Sequence, residues 1–478
     1  MRIKGSIAKS FLLALAISLI PAVAISAQKV TPGSTCKVYK QKVTNQNKVY
    51  TCIRSGKKLV WNRGLGAKQI PNPIPLQTSS DTPLSSSNLS LTSELKFSSA
   101  ENCRLTKPEN LPMDDGNSGS VGFPRKSDAL ASIGTAKGLL LFVDFPDVKA
   151  EENFQSNFTD WQIPLAENFF KSSSYGKFNL KISQSQSVYH LTNLSTAYNL
   201  LQAPGGGPYP GLPVKLNDLL YDAMSAADNE IDFSVYSFVS VVLPLSQKLT
   251  LGGVFGVPPT STEKYDGARF NFASVIPLDG ILPKSDFSKS WNWVHDIGHM
   301  LGLMHPYRMG VRNAWDVMNN YSSQPDFLGW NKWKLDWIRN QQVLCLADKP
   351  SEEFIIKLTP VGGSEDGKKL LAIRISSTRE IIVEVRRGTP FDKSVLLPDQ
   401  EGVLVYQVDT TKVGDTRSLY SGAFEILSNL NKEIFFPASP SNILGTMKPG
   451  DFILTDGLRI SILNSDKFGE FISIKSAN

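Results

Sequence analysis

The chain has 478 residues, with 50 Lys+Arg against 44 Asp+Glu and a formal net charge of +6. With 41% hydrophobic and 20% charged residues it has the composition of a folded protein, which excludes a disordered or collagen-like chain. This length favours two or three domains, and with only four histidines and four cysteines each can be weighed singly.

Residues 1–27 carry Arg2, Lys4 and Lys9 ahead of an apolar run from Phe11 to Ile25, with Ala22, Ala24, Ser26 and Ala27 at its exit. That order is the pattern of a secretory signal peptide, cleaved after Ala24 or Ala27. The competing reading is a membrane anchor, but the run is short for a bilayer span of about 20 residues. No later segment is apolar and long enough to cross a membrane, so the exported protein is expected to be secreted or cell-surface associated.

Residues 28–68 contain ten Lys/Arg and no acid. Alternation over 49–61 around Ser55-Gly56 predicts a small β-hairpin module. It resembles a short Cys-and-Trp module of secreted bacterial surface proteins. Its charge suits an anionic cell-envelope surface, and a solvated basic face accounts for it equally well. Residues 69–120, rich in Ser, Pro, Thr and Asn, read as a flexible linker. Export permits disulfides. Cys36 and Cys52 lie in one small module and are expected to pair, which leaves Cys103 for Cys345. The alternative for Cys103 is a propeptide thiol that caps a metal.

From residue 121 the patterning is that of a packed domain, 121–345. Strands are predicted at 138–145, 178–182, 238–244 and 271–278, and an amphipathic helix at 214–227. Ser285 or Asp286 can cap a second helix running through Trp291 to about Leu301. The Gly-rich stretch 205–210 reads as a loop without the strand and helix that a phosphate cradle needs. From 346 to 478 the period is two almost throughout, at 354–358, 370–375, 381–385, 402–408, 451–454 and 460–463, which predicts an all-β domain. The chain as a whole is expected to be α+β.

Three of the four histidines fall in one window, His295-Asp-Ile-Gly-His299-Met-Leu-Gly302-Leu-Met-His305. On a helix, His295 and His299 are one turn apart on the same side. Gly302 lets the chain turn back, so that His305 reaches the same point from a loop. Three imidazoles with an open fourth position make a catalytic Zn2+ site. The bland alternative is a set of core histidines, each of which then needs its own hydrogen-bond partner.

The window is similar to the metzincin pattern H-E-x-x-H-x-x-G-x-x-H, differing only at its second position. Ala314-Trp-Asp-Val-Met318 looks like the Met-turn that floors such sites. With Trp330-Asn-Lys-Trp-Lys-Leu-Asp-Trp337, Phe170-Lys-Ser-Ser-Ser-Tyr-Gly-Lys177, Glu384-Val-Arg-Arg387 and Gly402-Val-Leu-Val-Tyr406, the chain resembles the immune inhibitor A group of secreted bacterial metallopeptidases over about 138–409. The resemblance implies a metzincin-like catalytic domain, a twisted mixed sheet with helices, ahead of the all-β domain. It implies a zinc endopeptidase acting on a polypeptide substrate, with Met318 packed beneath the metal.

The family's glutamate base is Asp296 here, one methylene shorter. A base must come within about 2.6–3.2 Å of its proton, and a 1 Å misplacement can cost roughly a hundredfold in rate. A slowed peptidase and a zinc-binding pseudopeptidase used for adhesion or peptide binding are therefore both expected outcomes. A third reading makes the basic module the working part and the rest a scaffold. Tyr321 is a candidate oxyanion donor, with simple packing as its alternative. Asp316 is a candidate hydrogen-bond acceptor for a ligand histidine. The strand at 271–278 is a candidate sheet edge for an extended peptide. His190 is given no role.

The net charge divides unevenly. Residues 1–27 hold +3, residues 28–80 hold +10 with no acid, and the remainder holds −7. Nucleic-acid binding is not expected, and any anionic partner belongs to the N-terminal module.

Overall fold

The computed structural model describes residues 31–37, 42–45, 48–55, 58–61, 65–66, 97–107, 121–152, 154–160, 162–200, 202–203, 207–208, 215–244, 254–256, 265, 270, 273–277, 291–304, 315–318, 325–387, 391–392, 401–412, 423–428, 433–436 and 439–477. The expected signal peptide lies outside them. The chain divides into two compact units, Met1–Ser86 and Ser87–Asn478.

In the first unit, β1 (Lys42–Asn45), β3 (Lys58–Trp61) and β4 (Leu65–Gly66) all pair antiparallel with β2 (Lys48–Ser55). Cys52 faces Trp61 across the β2–β3 pair. Cys36 and Cys52 are disulfide-bonded as expected. With Tyr50, Trp61 and the flanking Leu59 they form the core of this unit. So small a cluster buries little apolar area, and the cross-link offsets that by restricting the unfolded chain.

The second unit is a mixture of strands and a few helices. Its first part runs β5 (Gly134–Asp144), α1 (Phe154–Thr159), α2 (Gln162–Ser173), β6 (Phe178–His190), the short pair β7 (Gln202–Ala203) and β8 (Gly207–Pro208), α3 (Leu216–Ala227), β9 (Phe238–Leu243), β10 (Val254–Gly256), β11 (Ala273–Pro277) and α4 (Trp291–Met300). The sheet order is β10-β11-β9-β5-β6. All neighbours are parallel except β10, which runs antiparallel to β11.

A parallel strand covered on both faces reads as a continuous apolar run, and 139–143 is one. Leu140 and Phe142 join Phe169 and Phe170 of α2 and Trp293, Val294 and Ile297 of α4 in one core. Leu139, Leu141 and Val143 point the other way, onto Leu219, Leu220 and Met224 of α3. The result is three layers, with α4 on the same face as α2 and beside β10. The strand expected at 271–278 is internal, not an edge. Val254–Gly256 lies outside it, a strand too short and too Gly-flanked to read from sequence.

The second part holds α5 (Gly329–Lys334), β12 (Val343–Leu346), β13 (Phe354–Leu358), β14 (Leu370–Arg374), β15 (Arg379–Arg386), β16 (Gly402–Asp409), β17 (Phe424–Ile426), β18 (Glu433–Phe436), β19 (Ser439–Leu444), β20 (Phe452–Thr455), β21 (Leu458–Asp466) and β22 (Gly469–Ser476). Sheet β12-β14-β15-β16-β17 faces sheet β13-β22-β21-β20, while β18 and β19 form a separate hairpin. Ile381, Val383 and Val385 meet Ile460, Ile462 and Ile472 between the two sheets. On its other face the first sheet turns Ile382, Leu404 and Tyr406 toward Trp315, Trp330 and Trp333.

Residues 97–107, inside the expected linker 69–120, are docked in that second core through Ala100, Cys103 and Leu105. Ser98 bridges to Cys345, a 3-10 helix spans Ala100–Cys103, and Cys103 is disulfide-bonded to Cys345. The Arg104 guanidinium lies 4.9 Å from the centre of the Phe123 ring. Cys103 therefore has no thiol with which to cap a metal. Among the described residues no helix is long and apolar enough to cross a membrane.

Candidate metal centre

Helix α4 buries Trp293, Val294, Ile297 and Met300, and the same helical period brings His295 and His299 together one turn apart. Their Nε2 atoms are 3.0 Å from each other, and their rings stand nearly perpendicular at 87°. Each ring is held from behind. His295 Nδ1 donates to the Val317 carbonyl and His299 Nδ1 to the Leu303 carbonyl, both at 2.9 Å.

A carbonyl oxygen only accepts, so these bonds assign the imidazole hydrogens to Nδ1. Each Nε2 then carries the ring's lone pair, and the two Nε2 atoms lie 3.0 Å apart. Burial, reinforced by the nearby His299, lowers the His295 pKa to about 3, and burial lowers that of His299 to about 4. Both are thus neutral near pH 7. Two nitrogen ligands at 2.0–2.1 Å from a tetrahedral zinc are about 3.3 Å apart, a spacing this pair, at 3.0 Å, would reach by opening slightly.

Gly302 builds the carbonyl behind His299. Its φ of +84° ends the helix in the left-handed region, where a Cβ is disfavoured. The Leu303 N–H then returns to the Gly298 carbonyl and the Gly302 N–H to the His299 carbonyl, a Schellman closure. Arg125 donates to the Leu130 and Leu301 carbonyls at 2.8 and 2.9 Å and so fixes this helix end.

The carbonyl behind His295 belongs to the turn Trp315–Met318. Asp316, fully buried, accepts from the Met318 and Leu328 N–H groups, each at 2.7 Å, and from Asn331 Nδ2 at 2.8 Å. It therefore braces the turn and does not bond to a histidine, contrary to the role considered for it. Burial raises its carboxyl to about 6 against the pull of these donors. Met318 is buried and packs on α4 at Gly298, whose missing side chain makes room for the sulfur.

The brace continues into the second part of the unit. Glu384 Oε2 accepts from the Gly329 N–H at 2.7 Å and from the Tyr406 hydroxyl at 2.9 Å, and that hydroxyl accepts from the Trp330 N–H at 3.1 Å. Arg386 donates to Glu384, to Asp392 and to the Phe327 carbonyl. Lys332 is paired with Asp326, Tyr175 donates to the Val361 carbonyl, and Lys177 to the Trp337 carbonyl. The flanking motifs read from the sequence thus meet in one buried network that holds the turn beneath α4.

Asp296 is on α4, buried at 3% exposure, and desolvation pushes its carboxyl up to about 8. His305 and Tyr321 lie outside the described residues. Among the described residues no group of three or more His, Cys, Asp or Glu side chains is placed to hold a metal. His190 meets Asp144, its Nδ1 2.6 Å from the carboxylate. The Val317 and Leu303 carbonyls were missed by sequence reasoning, because a backbone acceptor leaves no residue-type signal. Gly298 does leave one, a small residue inside the histidine window. No protein-family model matches the chain, and no curated protein matches it in sequence.

Proposed function

We propose that this chain is a secreted zinc-dependent endopeptidase that hydrolyses peptide bonds in extracellular proteins or peptides. The observation that carries this reading is the 3.0 Å approach of the His295 and His299 Nε2 atoms, each ring oriented by a carbonyl at its Nδ1. His305, three residues beyond Gly302, completes the ligand set by its spacing. A zinc ion held by the three would polarise the scissile carbonyl and supply an activated water at neutral pH.

Asp296 is the base in this reading. It takes the proton of the attacking water and returns it to the leaving amine. Burial alone favours its neutral form, and a nearby positive charge favours the carboxylate the reaction needs. Strand β10, terminal in this sheet among the described residues and beside α4, is the backbone that an extended substrate would pair with. Two disulfides accord with an extracellular location.

The short, desolvated Asp296 side chain favours one second reading, a zinc-binding pseudopeptidase that recognises peptides at a surface without cutting them. Cleavage of an unfolded protein separates the two. In the peptidase, Asp296→Ala abolishes cleavage and Asp296→Glu raises it above native. If native and Asp296→Glu proteins each bind one zinc and cleave nothing, the peptidase reading is lost.

A further inference from the structure

The sheet β13-β22-β21-β20 turns Ile460, Ile462, Ile472 and Ile474 inward, and its terminal strand β20 is Phe452-Ile-Leu-Thr. A sheet edge is ordinarily guarded by charge, yet β20, terminal among the described residues, exposes Phe452 at 50% and Leu454 at 59%. Leu463, at the irregularity in the β21–β22 pair, is 39% exposed, and Phe468, in the turn of that hairpin, is 60% exposed.

Cations stand among these side chains. The Arg459 guanidinium lies 3.7 Å from the centre of the Phe452 ring, and Lys467 Nζ lies 4.6 Å from that of Phe468. Lys475 is opposite Arg459 in the ladder and exposed. Lys357 is paired with Asp466 beside Phe471.

From this arrangement we infer that the outer face and β20 edge of this sheet dock on an anionic phospholipid bilayer. The apolar groups are phenylalanines and leucines without a polar handle, carried on an edge and a protruding turn. A peptide strand added to β20 would leave the Phe468 turn uncovered. A lipid surface covers both, with the rings at the acyl boundary and Arg459, Lys467 and Lys475 at the phosphates. This inference is independent of the zinc reading.

The test is co-sedimentation of the full chain with vesicles of phosphatidylcholine alone and of phosphatidylcholine mixed with phosphatidylglycerol. Binding to the mixed vesicles and little to the neutral ones is expected. The double variant Leu454→Asp, Phe468→Asp should weaken binding about tenfold or more at an unchanged thermal midpoint, because both side chains are exposed. Arg459→Glu should weaken it as well. The inference is overturned if the native chain ignores mixed vesicles, or if these variants bind as well as native, which would assign the attraction to the basic N-terminal unit. It is equally overturned if the face is covered instead by a second copy, seen as a dimer that the double variant dissociates, or by an acidic polysaccharide with no vesicle binding.

Discussion

Gly298 and Met318 are in contact so close that a Cβ on the glycine would sit 2.3 Å from the methionine sulfur. The helix that carries His295 and His299 can therefore approach the turn beneath it only while residue 298 has no side chain. Gly298→Ala is predicted to destabilise the fold by about 1–3 kcal/mol through overpacking. Adding Met318→Ala should return part of that loss. Urea denaturation of the two single variants and the double variant measures this coupling, and additive losses would disprove it.

Gly302 combines a φ of +84° with an open path for the Leu303 carbonyl to His299. Gly302→Ala is predicted to cost about 1–2 kcal/mol for the left-handed conformation. A Cβ there also meets the Ala129 Cβ at 3.1 Å. If His299 is a zinc ligand as proposed, loosening the bond behind it should lower zinc affinity about 10–100-fold. Competition with a chromophoric chelator reads the affinity separately from the stability loss.

Glu384 and Arg386 are both fully buried and joined at 3.1 Å. Glu384→Ala strands the Gly329 N–H, the Tyr406 hydroxyl and part of the Arg386 guanidinium at once. Breaking a buried pair from one side costs about 3–5 kcal/mol, and the variant should lose that much in equilibrium unfolding. A loss below about 1 kcal/mol, the range of an exposed pair, would show that the network does not brace the turn.

Lys334 is 3% exposed, and burial, aided by the charge of Arg125, lowers its amine to about 7 from an ordinary 10.5. Between those values the unfolded chain holds a proton that the folded chain has released, so stability falls as pH drops from 10.5 toward 7. Lys334→Met removes this contribution. The difference in stability between native and variant is predicted to change by about 1 kcal/mol per pH unit between pH 8 and 9. Urea midpoints across that range check it, and parallel curves would contradict it.

The parts of the fold legible in the sequence are those with a clean period. Strand 354–358 was readable to the residue, and α3 within two residues, because each alternates or repeats against one core. The histidine pair was legible for the same reason, since a four-residue spacing on a helix has one geometric outcome. Helix α5 was not. All six of its residues are buried, Lys332 and Lys334 included, and Asn331 and Lys332 serve a buried network instead of marking a solvent face. Glu384 and Arg386, polar positions in an alternating strand, likewise face a second core and are fully buried. Helices α1 and α2 were missed beside a motif read only for its resemblance.

The most direct measurement is zinc content per chain after dialysis against metal-free buffer, in native, His295→Ala and His299→Ala proteins. One zinc per native chain and none in either variant is the predicted result, with native-like circular dichroism throughout. A native chain that holds no zinc, or variants that hold as much as native, would contradict the proposal that His295 and His299 hold a metal.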